Sequence, residues 1–230
     1  MGRNPTGSNL NLDTIQKEVQ AAGVRMEGYT KGQRGALADN ARKAMNSGNK
    51  INLLRDTRCY LIGHMQYSDG RGWRDTVKQE LGGSGIKFYD PYHKPFVHDI
   101  PEDENSRAEM LHWMETGQFD LVAQRMKEVR GYDLRLCDIC DWFIAVIKPT
   151  IASWGSAEEI TTIIREKKPL FLVIDDPKGK KACPLWLLGV LPHKYVYDTL
   201  DEAVRTIKGI DEGIVRTNSD RWKLLLPELR

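Results

Sequence analysis

The sequence lacks the features that mark membrane proteins, secreted proteins and strongly charged nucleic-acid binders. Its 230 residues are 40% hydrophobic and 29% charged, with a formal net charge of only +2. A charge so near zero gives no electrostatic reason to expect a nucleic acid or a membrane surface as partner. No apolar run approaches the length that spans a bilayer, and the N-terminus lacks the apolar core of a signal peptide. We therefore expect a cytoplasmic protein without membrane or nucleic-acid partners.

Cysteine is scarce, and its placement does not indicate a metal site or a redox site. Two of the four cysteines, Cys137 and Cys140, form a single CxxC pair. A CxxC without a second pair or nearby histidines is a weak signal for zinc. A thioredoxin-type motif opens a helix after a strand, whereas this pair closes a predicted helix ahead of a strand. We interpret the pair as packing residues and expect neither a metal nor a cofactor.

Two continuous apolar runs of strand length organise the second half of the chain. They are WFIAVI over Trp142–Ile147 and LFLVI over Leu170–Ile174, and apolar residues recur between them at helical spacing. This pattern predicts a βαβ unit whose two strands are parallel and buried on both faces. The connecting loop leaves the carboxyl end of the first strand and enters the helix at Ser153–Ser156. Free backbone N–H groups and the helix dipole favour anions at that point.

A second βαβ unit is predicted in the first half of the chain. The strand Arg58–Gly63 leads through a loop over residues 64–72 into the helix Trp73–Leu81 and the strand Ile86–Tyr89. The whole pattern predicts an α/β fold, a Rossmann-like open, mainly parallel sheet flanked by helices. Further predicted elements are helices over Glu102–Glu115, Phe119–Val129, a short stretch from Asp133, Pro184–Leu191 and Leu200–Ile207, and a strand over Tyr195–Tyr197.

The two ends of the chain are predicted to lie outside this α/β domain, which we place at residues 55–209. Residues 1–54 form an N-terminal helical extension with two short amphipathic helices, Leu12–Ala22 and Ala36–Met45. Residues 210–230 form a tail that contains the apolar run Trp222–Leu226, which needs a surface to cover it.

Glu159 is the leading candidate for chemistry. Its predicted position in the first helical turn favours the ionised carboxylate, which is suited to act as a nucleophile or to pair with an oxocarbenium ion. Structural interpretations stay open beside this one. Ser156 and Glu159 also have the spacing of a capping box, Asp133 fits an N-cap, and Tyr60 fits a core aromatic residue with its hydroxyl at the rim.

In combination these pieces resemble the nucleoside 2-deoxyribosyltransferase-like superfamily, which includes base-exchanging transferases and N-glycosidases of nucleoside 5′-monophosphates. The resemblance implies that Glu159 is the catalytic glutamate, that Asp133 contacts the sugar and assists proton transfer, and that Tyr60 orients the glutamate. It covers about residues 57–200 and is carried by Tyr60–Gly63, Asp133–Leu134, Trp142–Ile147, Gly155–Glu159 and Lys168–Pro169.

One departure from the transferase pattern bears on the substrate. Deoxyribosyltransferases of this pattern usually carry an aspartate six residues before the nucleophile, where it binds the free 5′-hydroxyl, and this chain has Ser153. A carboxylate there would repel a phosphate, whereas a hydroxyl beside helix N–H groups would bind one. We therefore expect the phosphate at Ser153, Gly155, Ser156 and the Gly63 backbone. Asp90 and His93, on the opposite loop, are candidates for base contact, although an Asp-Pro turn explains Asp90 structurally.

The resemblance thus implies hydrolysis of the N-glycosidic bond of a nucleoside 5′-monophosphate through a glutamate nucleophile, releasing free base and sugar 5-phosphate. No metal or cofactor is required. Two alternatives stay open: a nucleoside 2-deoxyribosyltransferase that exchanges bases, and a catalytically silent nucleotide-binding protein. The resemblance also implies a homodimer or larger homo-oligomer, for which the apolar tail Trp222–Leu226 is a candidate contact.

Overall fold

The computed structural model describes residues 52–65, 69–92, 102–217 and 221–222. The two helices predicted over Leu12–Ala22 and Ala36–Met45 lie outside these ranges. The described strands are β1 (Arg58–Gly63), β2 (Lys87–Tyr89), β3 (Trp142–Ile147), β4 (Leu170–Ile174) and β5 (Val196–Tyr197). The described α-helices are α1 (Asp69–Leu81), α2 (Glu104–Glu115), α3 (Phe119–Ile139), α4 (Trp154–Arg165), α5 (Leu185–Val190) and α6 (Leu200–Asp211).

The five strands form one parallel sheet in the order β2-β1-β3-β4-β5. From β1 the chain steps outward to β2, then returns to the other side of β1 and continues through β3, β4 and β5. The direction of winding therefore reverses between β1 and β3. In open α/β sheets this reversal creates a crevice outside the carboxyl ends of the strands, where ligands bind. The α/β, mainly parallel architecture predicted from the sequence is confirmed.

The central strands form the core because helices cover both of their faces. Five of the six β3 side chains are buried, as are all five of β4. At one end of this core Trp142 packs edge-on against Phe171, with ring centroids 5.9 Å apart, and lies 6.1 Å from the ring of Trp222. Trp222 is only 1% exposed, so this part of the predicted tail completes the core of its own chain. The prediction of a subunit contact there is wrong for Trp222.

Two helices extend through glycines at which the sequence predicts that they stop or have not yet begun. The first helix begins at Asp69 and includes Gly70 and Gly72, which were predicted to lie in a loop. The third runs without interruption from Phe119 to Ile139, through Gly131. Gly131 is exposed, where glycine costs a helix only about 1 kcal/mol relative to alanine. Asp133 therefore lies well inside a helix, and its interpretation as an N-cap is wrong.

The helices lie in two layers, with α1 packed on α6 and α3 packed on α4. All four cysteines are free and buried, which confirms that the CxxC residues serve as packing residues. Burial also raises the pKa of the Cys137 thiol well above its usual range, which disfavours a thiolate. Across the part of the chain that the structure describes, no helix is both long and apolar enough to cross a membrane.

Candidate active site

A cavity of about 910 Å³ opens near the carboxyl ends of β1 and β3, where the direction of winding reverses. Its floor includes Gly63, the last residue of β1, and the loop that follows β3, while helices α1 to α4 contribute its walls. The position agrees with the general rule for ligand sites in open α/β sheets. Six of the predicted site residues line this cavity: Gly63, Asp133, Ser153, Gly155, Ser156 and Glu159.

Glu159 lies deeper in the helix than its sequence context predicted. The N-cap of α4 is Ser153, so Glu159 is the sixth residue of the helix and belongs to its second turn. The predicted capping box, with Ser156 as the N-cap, is therefore wrong. Glu159 shares the buried face of α4 with Ile160 and Ile163 and is only 7% exposed. A carboxyl group on the face of a helix that packs on the sheet needs a polar partner there.

Tyr60 supplies that partner. Its hydroxyl donates a hydrogen bond of 2.6 Å to Glu159 Oε1. The tyrosine is fully buried on β1, and its ring packs edge-on against Phe143 of β3 with centroids 6.3 Å apart. The ring is thus fixed by the core while its hydroxyl reaches the helix. Tyr60 is both a core aromatic residue and a contact of the glutamate, so the two interpretations of this residue are compatible.

The surroundings of Glu159 favour the protonated carboxyl group. They raise its pKa to about 8, first because burial disfavours the charge and then because Asp133 repels it. Glu102 adds to the repulsion, whereas the Tyr60 hydrogen bond and the buried guanidinium of Arg74 act in the opposite direction. The expectation of an ionised Glu159 is therefore wrong for the ligand-free protein at neutral pH, because burial and the charge of Asp133 outweigh the groups that favour the carboxylate.

Asp133 comes from α3, which packs on α4, and it lines the same cavity. One helical turn after it Cys137 is fully buried, so the register of the helix turns this face of α3 toward the core. The packing of the two helices brings the Asp133 carboxyl group close enough to Glu159 to affect its ionisation. Asp133 therefore helps to keep the proton on Glu159.

The amino end of α4 offers hydrogen-bond donors to the cavity. Ser153 makes no side-chain cap, and its hydroxyl instead donates to Ser156 Oγ over 2.8 Å. The first backbone N–H groups of the helix are therefore not capped by the serine that precedes them. Next to them, a Cβ on Gly155 would meet no atom within 4 Å, so the backbone is open to the cavity. Helix termini of this kind bind phosphate and other anions.

Two further predicted residues do not join the site. Asp90 is only 1% exposed, and its carboxylate pairs with Lys78 and accepts a 2.8 Å hydrogen bond from the backbone N–H of Tyr92. It does not line the cavity. This geometry agrees with the structural interpretation of the Asp-Pro turn. His93 lies outside the described residues.

The sequence did not single out two charged residues around Glu159. Glu102 precedes α2 and lines the cavity, and no local pattern identifies it. Arg74 is 1% exposed and lies beneath the end of β1. Its spacing in the sequence could have identified it as buried, because Arg74, Val77 and Leu81 fall at i, i+3 and i+7. All three are buried in the structure. An arginine on the apolar face of a helix marks a buried cation.

Neither a metal site nor a known relative identifies the chemistry. Among the residues that the structure describes, no group of three or more His, Cys, Asp or Glu side chains is placed to hold a metal ion. No model of a known protein family matches the chain, and no curated protein matches its sequence significantly. The function has to be argued from the cavity, the Tyr60–Glu159 hydrogen bond and the neighbouring Asp133.

Proposed function

We propose that the protein hydrolyses the N-glycosidic bond of a nucleoside 5′-monophosphate and releases free base and sugar 5-phosphate. The observation that carries the proposal is the 2.6 Å hydrogen bond between Tyr60 and Glu159, buried at the edge of a cavity that Asp133 also lines. Glycoside hydrolysis commonly uses two carboxyl groups in different protonation states. Burial and the nearby Asp133 hold a proton on Glu159 at neutral pH, and a proton on one of the two carboxyl groups is what this chemistry requires.

The amino end of α4 supports an anionic substrate. The hydroxyl groups of Ser153 and Ser156 and the neighbouring backbone N–H groups are all neutral hydrogen-bonding groups at the positive end of a helix dipole. A phosphate bound there would place the attached sugar one helical turn from Glu159, since Ser156 and Glu159 share the buried face of the helix. A carboxylate at position 153 would oppose phosphate binding, which is why the serine favours a monophosphate over a free nucleoside.

The proposed reaction needs one proton on the carboxyl pair. Glu159 attacks the anomeric carbon as a carboxylate, the C1′–N bond breaks, and its electron pair leaves with the base. Asp133 gives the departing base its proton. Water then attacks C1′ and passes a proton to Asp133, while the bond between C1′ and Glu159 breaks and restores the carboxylate. Burial and Asp133 favour the protonated form of Glu159 in the ligand-free protein, so the proposed reaction requires substrate binding to transfer this proton to Asp133.

A second candidate, a nucleotide-binding protein without turnover, is favoured by the pKa of Glu159. A carboxyl group that holds its proton at neutral pH is a poor nucleophile, and a ligand that does not move the proton would bind without reacting. Base exchange between deoxynucleosides remains a third proposal, although the serine at position 153 disfavours it.

The test is to incubate the protein with each ribo- and deoxyribonucleoside 5′-monophosphate, with and without an acceptor base, and to follow free base by chromatography. Glu159→Ala should abolish release. The matched control is Glu166→Gln, which changes a carboxylate of the same helix at its far end, where Glu166 pairs with Lys168. Release by the native and control proteins alone supports the hydrolase. Binding without release from any monophosphate, with or without acceptor, supports the binding protein.

A further inference from the structure

At the carboxyl end of β1, on the side of β2, a side chain takes the place of a paired strand. Pairing between β1 and β2 stops at Tyr60 and Tyr89, although β1 continues to Gly63. On this edge β1 presents the carbonyl groups of alternate residues, as the hydrogen bond from the Lys87 N–H to the Thr57 oxygen shows. The carbonyl groups of Leu61 and Gly63 therefore point to a part of the edge that β2 does not reach.

Arg74 of α1 occupies that part of the edge. Its guanidinium donates to the carbonyl oxygens of Leu61 over 3.3 Å and of Gly63 over 2.9 Å. It also donates to the carbonyl oxygens of His64, over 3.5 Å, and of Gly70. One side chain thus ties the end of β1 to His64 and to the first turn of α1.

This guanidinium is buried among carbonyl groups and aromatic rings. Arg74 is 1% exposed, and its other close contacts are the rings of Trp73 and Tyr92, whose centroids lie 4.5 and 5.4 Å from Cζ. Burial lowers the pKa of the guanidinium, although arginine remains protonated in proteins. Among the residues that the structure describes, its contacts are carbonyl groups and aromatic faces rather than a paired carboxylate, and a buried cation in such surroundings is costly to maintain. Such groups are common at functional sites, where their charge acts on a neighbour.

The neighbour here is the Tyr60–Glu159 pair. Arg74 favours the ionised form of Glu159, in opposition to Asp133 of α3 and Glu102 ahead of α2. Tyr60 immediately precedes Leu61, whose carbonyl Arg74 binds, and Gly63 lines the cavity. The backbone at Gly63 is tightly packed, because a Cβ on this residue would lie 2.8 Å from the Val146 carbonyl oxygen.

We infer that Arg74 is a positioning residue of the candidate active site, whose guanidinium replaces a strand at the end of β1 and so fixes Tyr60 against Glu159. The kinetic part of this inference rests on the proposed hydrolysis. The geometric part does not, because the Tyr60–Glu159 hydrogen bond exists without substrate.

Arg74→Lys tests the inference. Lysine keeps the positive charge, but its ammonium group cannot donate hydrogen bonds to four carbonyl oxygens at once. The matched control is Arg221→Lys. Arg221 also binds main-chain carbonyl oxygens, those of Lys168 over 3.0 Å and Ile164 over 3.4 Å, and burial lowers its pKa too. It lies near the amino end of β4, since Lys168 precedes that strand, and it does not line the cavity. Both variants should lower the melting temperature, Arg74→Lys by more, because Arg74 is buried and binds four carbonyl oxygens whereas Arg221 is only partly buried.

Only Arg74→Lys should affect the site. We expect kcat to fall about 10- to 100-fold with a much smaller change in KM, as for a displaced catalytic group. The pKa of the Glu159 carboxyl group, followed by ¹³C NMR in the ligand-free protein, should rise above its native value because the Tyr60 hydrogen bond weakens. A variant with native kcat, KM and Glu159 pKa would overturn the inference and leave Arg74 a structural residue. If the native protein releases no base, the NMR measurement still decides.

A measurement on the native protein covers the case in which Arg74→Lys does not fold. The ¹⁵N resonance of Arg74 Nε should move with the same midpoint, near pH 8, as the Glu159 carboxyl group, because the two charges interact. The resonance of Arg221 Nε serves as the reference. An Arg74 resonance that stays constant through this transition would show that the guanidinium is not coupled to the pair.

Discussion

Replacement of Glu159 by glutamine should stabilise the protein, and the gain should grow with pH. The pKa of this buried carboxyl group is about 8 in the folded protein, against an ordinary value of 4.5. Between these two values the folded protein holds a proton that the unfolded chain has released. Stability contributed by Glu159 is therefore complete below pH 4.5 and is lost progressively as the pH rises through 8. Glutamine accepts the Tyr60 hydrogen bond through its carbonyl oxygen and has no proton to lose.

The size of the effect follows from the difference between the two pKa values. Each unit corresponds to about 1.4 kcal/mol, so the full cost of Glu159 at high pH is about 5 kcal/mol. Of this, about 1.4 kcal/mol has accumulated at pH 5.5 and nearly all of it at pH 8.5. The stability of Glu159→Gln relative to the native protein should thus increase by about 3 kcal/mol between these two pH values.

The assay is urea unfolding of both proteins at pH 5.5, 7.0 and 8.5, with free energies extrapolated to water. Glu158→Gln is the matched control, because the adjacent carboxylate pairs with Arg130 at the surface and its pKa is lowered. Glu158 is therefore ionised in both states throughout this range, and its replacement should shift stability equally at each pH. A constant difference between native protein and Glu159→Gln would refute the claim that Glu159 holds a proton at neutral pH.

Four further outcomes follow from the same site. If hydrolysis needs one proton on the carboxyl pair, kcat/KM should stay constant up to about pH 8 and fall above it. A rate that instead rises through pH 8 would exclude Asp133 as the proton donor. Tyr60→Phe should raise the pKa of Glu159 further, measured by ¹³C NMR, and should lower the melting temperature by a few degrees, since the ring still packs on Phe143 but the buried carboxyl group loses its hydrogen-bond partner. Gly63→Ala should cost about 2 kcal/mol in urea unfolding, since its Cβ would lie 2.8 Å from the Val146 carbonyl oxygen and nothing there can yield cheaply. Ser153→Asp should weaken monophosphate binding roughly tenfold in calorimetry without loss of stability, and unchanged affinity would place the phosphate elsewhere.

The sequence predicted the central strands to the residue because their physics is local. Trp142–Ile147 and Leu170–Ile174 are continuous apolar runs, and strands covered on both faces require such runs. Helix ends were predicted less well. The sequence predicts that Gly70 lies in a loop and that a helix breaks at Gly131, but a single glycine costs a helix too little to end it when tertiary packing supports the remainder.

The sequence predicts several residues of the cavity but not the charge state of Glu159. Glu159, Asp133 and Ser153 are candidates from the sequence alone, and all three line the cavity. The expected ionisation of Glu159 has the wrong sign, because its pKa depends first on burial and then on the charge of Asp133, which the packing of the helices determines. The sequence predicts Glu159 in the first turn of the helix, whereas the observed N-cap at Ser153 places it in the second turn, farther from the helix terminus.

The groups that the sequence did not reveal are those whose effect depends on distant packing. Arg74 and Glu102 lie far from Glu159 along the chain, and each changes the balance of charge at one carboxyl group. Asp133 and Glu102 disfavour the ionised form of Glu159, whereas Arg74 and the Tyr60 hydroxyl favour it. A carboxyl group held in such a balance changes its protonation when one charge is added. A bound phosphate is itself an anion and would further disfavour the ionised form of Glu159. Arg74 and Tyr60 are therefore the groups that have to stabilise the attacking carboxylate during the proposed reaction.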